Sequence, residues 1–198
     1  SAPPLEWLAL TKLWRAGRTE PVWFLADPAR SDLALIDPAS LSASTEFRWP
    51  LVARPAFGGM RPSAVRWHRL LPPGWFAEQG WSLTPETAGM SGLIGRAPHL
   101  GPIEAHVRRR GGATTVLVGG RNLAGAGGPA ATFTLAIDGV TLQQWDAAPG
   151  FFLQVFEIPA GRLMGDGPFA VLTIQSEAAS GAAVIQTAIE QFDLQGEG

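Results

Sequence analysis

The sequence predicts a mainly β chain: an antiparallel sandwich or barrel behind a small α/β appendage. Short apolar or alternating runs of strand length recur from Val65 onward, and glycine or proline clusters separate them. Residues 1–60 read differently, as a helix followed by strands. No run of 18 or more apolar residues interrupts either pattern, so no segment here is expected to span a bilayer.

Leu5 to about Gly17 reads as a short helix, preceded by Pro3 and Pro4, with Leu5, Leu8, Leu13 and Trp14 as apolar members. Those residues do not form one narrow stripe, so the helix is expected to touch protein on more than one side. Gly17 is its expected C-terminal stop, because glycine takes the left-handed conformation that ends helices. Val22–Ala26 and Leu33–Ile36 have strand length and are bounded by Pro21, Asp27-Pro28 and Asp37-Pro38. Thr45, Phe47 and Trp49 alternate with Glu46 and Arg48, as in a half-exposed strand. Pro50 to Pro62, with Gly58-Gly59, marks the expected boundary between the appendage (1–60) and the β domain (61–198).

Beyond the boundary the expected strands are Val65–Arg69, Ile103–Val107, Thr115–Val118, Phe133–Ile137, Val140–Trp145, Phe151–Ile158, Phe169–Ile174 and Val184–Leu194. Asp138-Gly139 predicts a two-residue hairpin turn, since both central positions need positive φ. Pro72-Pro73-Gly74-Trp75-Phe76 and the following residues to Pro85 hold two tryptophans on backbone that proline excludes from helix, so this run is turn and short strand.

Composition narrows the function. The chain has 198 residues, enough for a substantial core. Net charge is −2, which gives no general attraction to nucleic acid or anionic membrane. Charged residues make up 16%, well below the usual quarter or so, and such a surface suits an uncharged partner. No cysteine is present, which removes disulfides, thiol catalysis and cysteine zinc sites. The chain begins at Ser1 without a signal peptide, as expected of a segment cut from a longer protein.

The motifs for chemistry are weak. Gly125 to Gly128 lacks the lysine and serine of a P-loop and the spacing of a dinucleotide loop, and reads as a strand connection. Ser91 sits in Gly89-Met90-Ser91-Gly92, where the second glycine falls one place early for a nucleophile elbow. His68, His99 and His106 have no acid at a telling offset and no HExxH, so neither a serine triad nor a zinc site is expected. A glycosidase would need two carboxyl groups roughly 5–10 Å apart. Glu104, Asp146, Glu157, Glu177, Glu190 and Asp193 show no clustering on one strand face, although a pair from different strands stays open. Arg108-Arg109-Arg110 is either a solvated hairpin shoulder or a phosphate contact.

The aromatics remain. A sugar ring presents an apolar face of axial C–H groups that a flat ring complements, while neighbouring polar side chains bond the hydroxyls. Trp75, Trp81, Trp145 and Phe151 are the candidate rings, with Glu78, Gln79 and Gln144 as polar neighbours. The competing reading for each tryptophan is core or end-plug packing. Trp67, on an alternating strand, is expected in the core.

The order of a Gly-Trp segment, Thr115-Val116-Leu117-Val118, the Phe133 to Val140 hairpin, Phe151 to Pro159 and Thr187 to Leu194 resembles jelly-roll carbohydrate-binding modules of the galactose-binding-domain-like type. That resemblance implies an antiparallel jelly-roll β-sandwich and a non-catalytic glycan-binding role. In such modules the last strand often helps hold a structural calcium. Glu190 stands near that position without evident supporting ligands, so no cofactor or metal is expected beyond that calcium. A second resemblance covers the whole chain. Pro21 to Pro28, Asp32 to Pro38, Gly74-Trp75-Phe76 and Gly80 to Gly89 look like soluble C-terminal regions of bacterial membrane glycosyltransferases that use polyprenyl-phosphate sugars. It implies a location outside the cytoplasmic membrane (periplasm or cell surface). The partner would be a glycan or the transmembrane part of the parent protein, and no catalytic residue falls in this segment. The alternatives are a sandwich glycoside hydrolase and a purely structural domain.

Overall fold

The computed structural model describes residues 5–26, 36–47, 65–77, 103–178 and 187–196. They form a mainly β protein with one short helix. Helix α1 spans Leu5–Arg15. Strands β1 (Val22–Ala26), β2 (Leu41–Phe47) and β3 (Val65–Leu70) form a three-stranded antiparallel sheet in the order β1-β3-β2. The remaining strands are β4 (Trp75–Ala77), β5 (Ile103–Arg108), β6 (Thr114–Asn122), β7 (Ala131–Ile137), β8 (Val140–Ala147), β9 (Gly150–Ile158), β10 (Phe169–Ala178) and β11 (Thr187–Gly196). They make a five-stranded sheet, β4-β5-β10-β7-β8, and a three-stranded sheet, β11-β6-β9, with every pairing antiparallel.

One core joins these two sheets. Val107, Phe133, Leu135, Leu172 and Ile174 of the larger sheet pack against Val116, Val118, Phe152, Ile158 and Leu194 of the smaller one. From β5 onward only the step from β7 to β8 is a hairpin, and the other steps between described strands pass from one sheet to the other. This is the antiparallel sandwich that the alternating strands predict. Asp138 and Gly139 turn the β7–β8 hairpin with φ of 48° and 76°, the two positive values that a tight turn of this kind demands.

Strand β3 was expected to belong to the sandwich, and the structure pairs it instead with β1 and β2. Alternation predicts a buried face without saying against which neighbour. Of the expected strand Leu33–Ile36, only Ile36 lies within the described residues, where it makes a bridge to Phe76.

The helix ends as the sequence predicts. Gly17 has φ of 76°, its N–H donates to the Trp14 carbonyl at 2.8 Å, and the Arg18 N–H donates to the Leu13 carbonyl at 3.3 Å. That pair of bonds satisfies carbonyls which the helix itself leaves open. Among the side chains of α1 that are described, from Ala9 to Arg15, the buried ones are Leu10, Thr11 and Trp14.

This face lands on β4. Trp75 points into the sandwich core, where its ring meets Phe192 edge-on at 5.0 Å. Phe76, the next residue, points the other way and joins Leu10, Trp14, Ile36 and Leu70 in a second core. Its ring lies 5.2 Å from that of Trp14, stacks on His106 at 4.9 Å, and meets Phe169 edge-on at 5.2 Å. Asp37 fixes the approach to β4. Its carboxylate accepts the N–H groups of Gly74 (3.1 Å) and Ala39 (2.9 Å), and its own N–H donates to the Trp75 carbonyl at 3.0 Å.

Phe76 is fully buried at 0% exposure, so Phe76→Ala is expected to cost about 3–5 kcal/mol. Phe151→Ala, at a ring 58% exposed, is expected to stay within about 0.5 kcal/mol of wild type. Chemical denaturation of the two variants measures the difference. Equal losses would contradict the second core.

Candidate functional site

Register assigns each side chain to a face. On β6 and β9, Val116, Val118, Phe152 and Ile158 are buried between the sheets, so their alternates face outward. Across the outer face of the smaller sheet, Arg121 is opposite Phe151, Gly119 opposite Leu153, Leu117 opposite Val155 and Thr115 opposite Glu157. On the other side of β6, Gln191 is opposite Gly119, Asp193 opposite Leu117 and Gln195 opposite Thr115.

The result is a two-toned surface. Along β9 run Phe151 (58% exposed), Leu153 (49%) and Val155 (58%). Along β11 run an amide, a carboxylate and a second amide. Between them Gly119 is buried beneath the Leu153 and Gln191 side chains, and a β-carbon there would lie 3.0 Å from both Leu153 Cδ1 and Gln191 Oε1. Asp193 accepts the N–H of Leu194 at 2.8 Å and the Gln195 amide at 3.0 Å, which holds its carboxylate in place. Contiguous apolar side chains beside oriented polar groups are what a ligand with one apolar face and a hydroxylated rim requires.

The residues singled out from sequence do not converge. Trp75 is 3% exposed and has no open face, so the platform reading of Trp75 gives way to core packing. Trp145 is half-buried and stacks on Phe133 at 5.2 Å and 8°, with Phe152 and Phe156 beside it. Gln144 precedes it on the same strand and therefore faces the opposite side, where its amide donates to Thr134 at 3.1 Å. Glu78, Gln79 and Trp81 lie outside the described residues. Phe151 is the candidate ring that the structure exposes. Leu153, Val155, Gln191 and Asp193 were missed. A signal existed in Phe151-Phe152-Leu153, where apolar residues occupy both faces of one strand.

Of the acids weighed for glycosidase chemistry, Glu177 and Asp146 flank Thr132 from either side on the outer face of the larger sheet, while Glu104 and Glu157 are far apart. Glu104 lies on the outer face of the larger sheet, next in register to Thr173, and Glu157 on the outer face of the smaller one. These two do not flank a common bond. Among the described residues no group of three His, Asp or Glu could hold a metal ion, and no helix is long and apolar enough to cross a membrane.

The basic run is used internally for two of its three residues. Arg108 Nε donates to the Pro73 carbonyl at 3.3 Å, and its guanidinium lies 5.8 Å from the Phe169 ring centre. Arg109 is the hub of the β9–β10 loop. Its Nε donates to the Asp166 carbonyl at 2.8 Å, and its Nη1 reaches the Asp138 carboxylate at 2.9 Å and the Leu163 and Met164 carbonyls at 3.4 and 3.2 Å. Gly165 passes so close that a β-carbon there would meet the guanidinium.

No family model matches the chain, and no curated protein sequence matches it. Among solved structures it is similar to the EclA C-terminal domain, a sugar-binding protein, with a TM-score of 0.36 and 17% identity, over 58% of this chain and 89% of that one. A superposition this loose transfers neither a site nor an activity.

Asp138 carries a pH dependence. Burial is the largest influence on its carboxyl and pushes upward, but the Val171 N–H, the Arg109 hydrogen bond and charge, and the Arg162 charge together hold it below the ordinary carboxylate value. With the folded value depressed, the unfolded chain binds more protons in that window, so stability rises with pH there. The contribution is complete above roughly pH 4–5 and is lost as pH falls through the depressed value. Asp138→Asn tolerates the positive φ. Its stability deficit, read from urea midpoints between about pH 7 and about pH 3, is expected to hold steady near neutrality and shrink below about pH 4. A deficit independent of pH would contradict the ion pair.

Proposed function

We propose that this chain is a non-catalytic carbohydrate-binding module whose ligand lies on the outer face of the β11-β6-β9 sheet. The supporting observation is the exposed Phe151 ring opposite Arg121 in register, on the same outer face as Gln191 and Asp193. The ring stacks on the apolar face of a sugar. The guanidinium and the amide bond its hydroxyls. The low charged fraction of 16% agrees with a neutral glycan rather than a polyanion.

We further propose that the module serves an exported or membrane-anchored bacterial protein that handles polyprenyl-phosphate sugars, on the outer side of the cytoplasmic membrane. Support for this comes from the resemblance of Pro21 to Pro38 and Gly74 to Gly89 to the soluble regions of such glycosyltransferases.

The test is titration of the chain with glycans selected on an array. Phe151→Ala is expected to weaken binding about tenfold, the size of one lost aromatic anchor, and Gln191→Ala a few-fold. Wild-type chain that retains no glycan, or Phe151→Ala that binds as wild type, would overturn this placement. If Trp81→Ala abolished binding while Phe151→Ala did not, the site would move to the segment around Trp81.

A further inference from the structure

Strand β9 is an edge. It pairs with β6 on one side, and among the described strands nothing pairs with its other side. An exposed edge offers unpaired N–H and C=O groups to another strand, and proteins guard against this with short strands, bulges, charges or proline. The other sandwich edges carry such devices. Strand β4 has three residues. Strand β11 is bulged between Ile189 and Gln191 and carries Glu190 and Asp193. Strand β8 faces a register shift at Leu135/Ala136 and carries Asp146. Strand β9 runs nine residues, and from Gly150 to Phe156 it has neither charge nor proline nor a register shift against β6.

We infer that this edge is the interface with a second copy of the chain, β9 pairing antiparallel with β9 about a two-fold axis normal to the sheet. The side-chain pattern selects a second copy because it is self-complementary. With the axis at Leu153, Leu153 meets its own mate, and Phe151 meets Val155 in both directions, an aromatic beside a β-branched residue. No charged residue meets a like charge, because Glu157 falls beyond the stripe opposite Pro149. The pairing joins two three-stranded sheets into one surface. It sets the two Phe151 positions four residues apart along the strands, roughly 13 Å, which suits two contacts on one extended ligand. The inference does not rest on the carbohydrate reading and is tested with no sugar present.

Sedimentation velocity of the full chain is expected to show a monomer–dimer equilibrium between about 1 and 100 μM, as befits a small interface. Val155→Lys, which installs the missing guard at an exposed position, is expected to sediment as monomer throughout. The chain lacks cysteine, so Leu153→Cys reports the axis directly. Paired residues at the two-fold lie within disulfide reach, and mild oxidation is expected to give a covalent dimer. Thr115→Cys, exposed on the same face but on the central strand, is expected to stay monomeric. The inference is overturned if wild type is monomeric over the range, if Val155→Lys dimerises unchanged, or if Leu153→Cys cross-links no faster than Thr115→Cys.

Discussion

The pleat of β4 governs the arrangement of everything around it. Two adjacent aromatic residues on a three-residue strand must point to opposite faces, and here both faces are covered. Trp75 plugs the sandwich core and Phe76 anchors the helix. Neither could be satisfied if the strand were shifted by one residue, because that slip would exchange the two rings. The double proline fixes the chain entering β4, and Asp37 takes up the Gly74 N–H. The Arg108 N–H donates to the Gly74 carbonyl at 2.8 Å. The result is an edge strand that would be marginal alone but is clamped by backbone on one side and by α1 above it.

That clamp decides which surfaces are left. Helix α1 covers the β4 end of the larger sheet. The rest of that sheet's outer face is polar and bonded within itself, Thr132 donating to Asp146 at 2.7 Å and Gln144 to Thr134. Among the described residues nothing covers the outer face of the smaller sheet in this way, and β9 lacks such polarity. Its apolar stripe is therefore a property of the sheet that the helix does not reach.

Local signals were legible and non-local ones were not. The Asp138-Gly139 turn and the Gly17 stop are set by conformations that few residues tolerate, so the residue type itself announces them. The sandwich strands were legible for a similar reason, since alternation needs no knowledge of the partner. Strand β3 was misplaced because alternation carries no information about pairing. Trp75 was ambiguous because residues on both sides of the pleat are apolar, and only the location of the helix shows that both faces are buried. Trp145 and Gln144 were avoidable as a pair: neighbours on a strand cannot serve one ligand. The arginine run misled differently. Three like charges read as a solvated face, but a guanidinium can be enclosed when enough acceptors converge on it. For Arg109 those acceptors come from Asp138 and from the loop around residues 163–166, distant in sequence and invisible to any local window.

The stripe on β9 is informative because the fold does not need it. Phe152 and Ile158 supply this strand's buried contribution to the core, with Phe156 packed against its margin. Phe151, Leu153 and Val155 contribute nothing inside, and any polar residue with strand propensity would leave the sandwich intact. Single exposed apolar residues are ordinary, but consecutive alternates on one edge are contiguous, and water must be ordered or expelled along their length. The outer face and the free edge of β9 make separate demands. The face carries side chains that can stack, and the edge carries backbone that can pair. A ligand satisfying the face alone would leave the edge open, while a strand completing the edge would broaden the face without covering it. The two surfaces are thus compatible, and occupying both removes the unguarded edge that the rest of the molecule takes care to avoid.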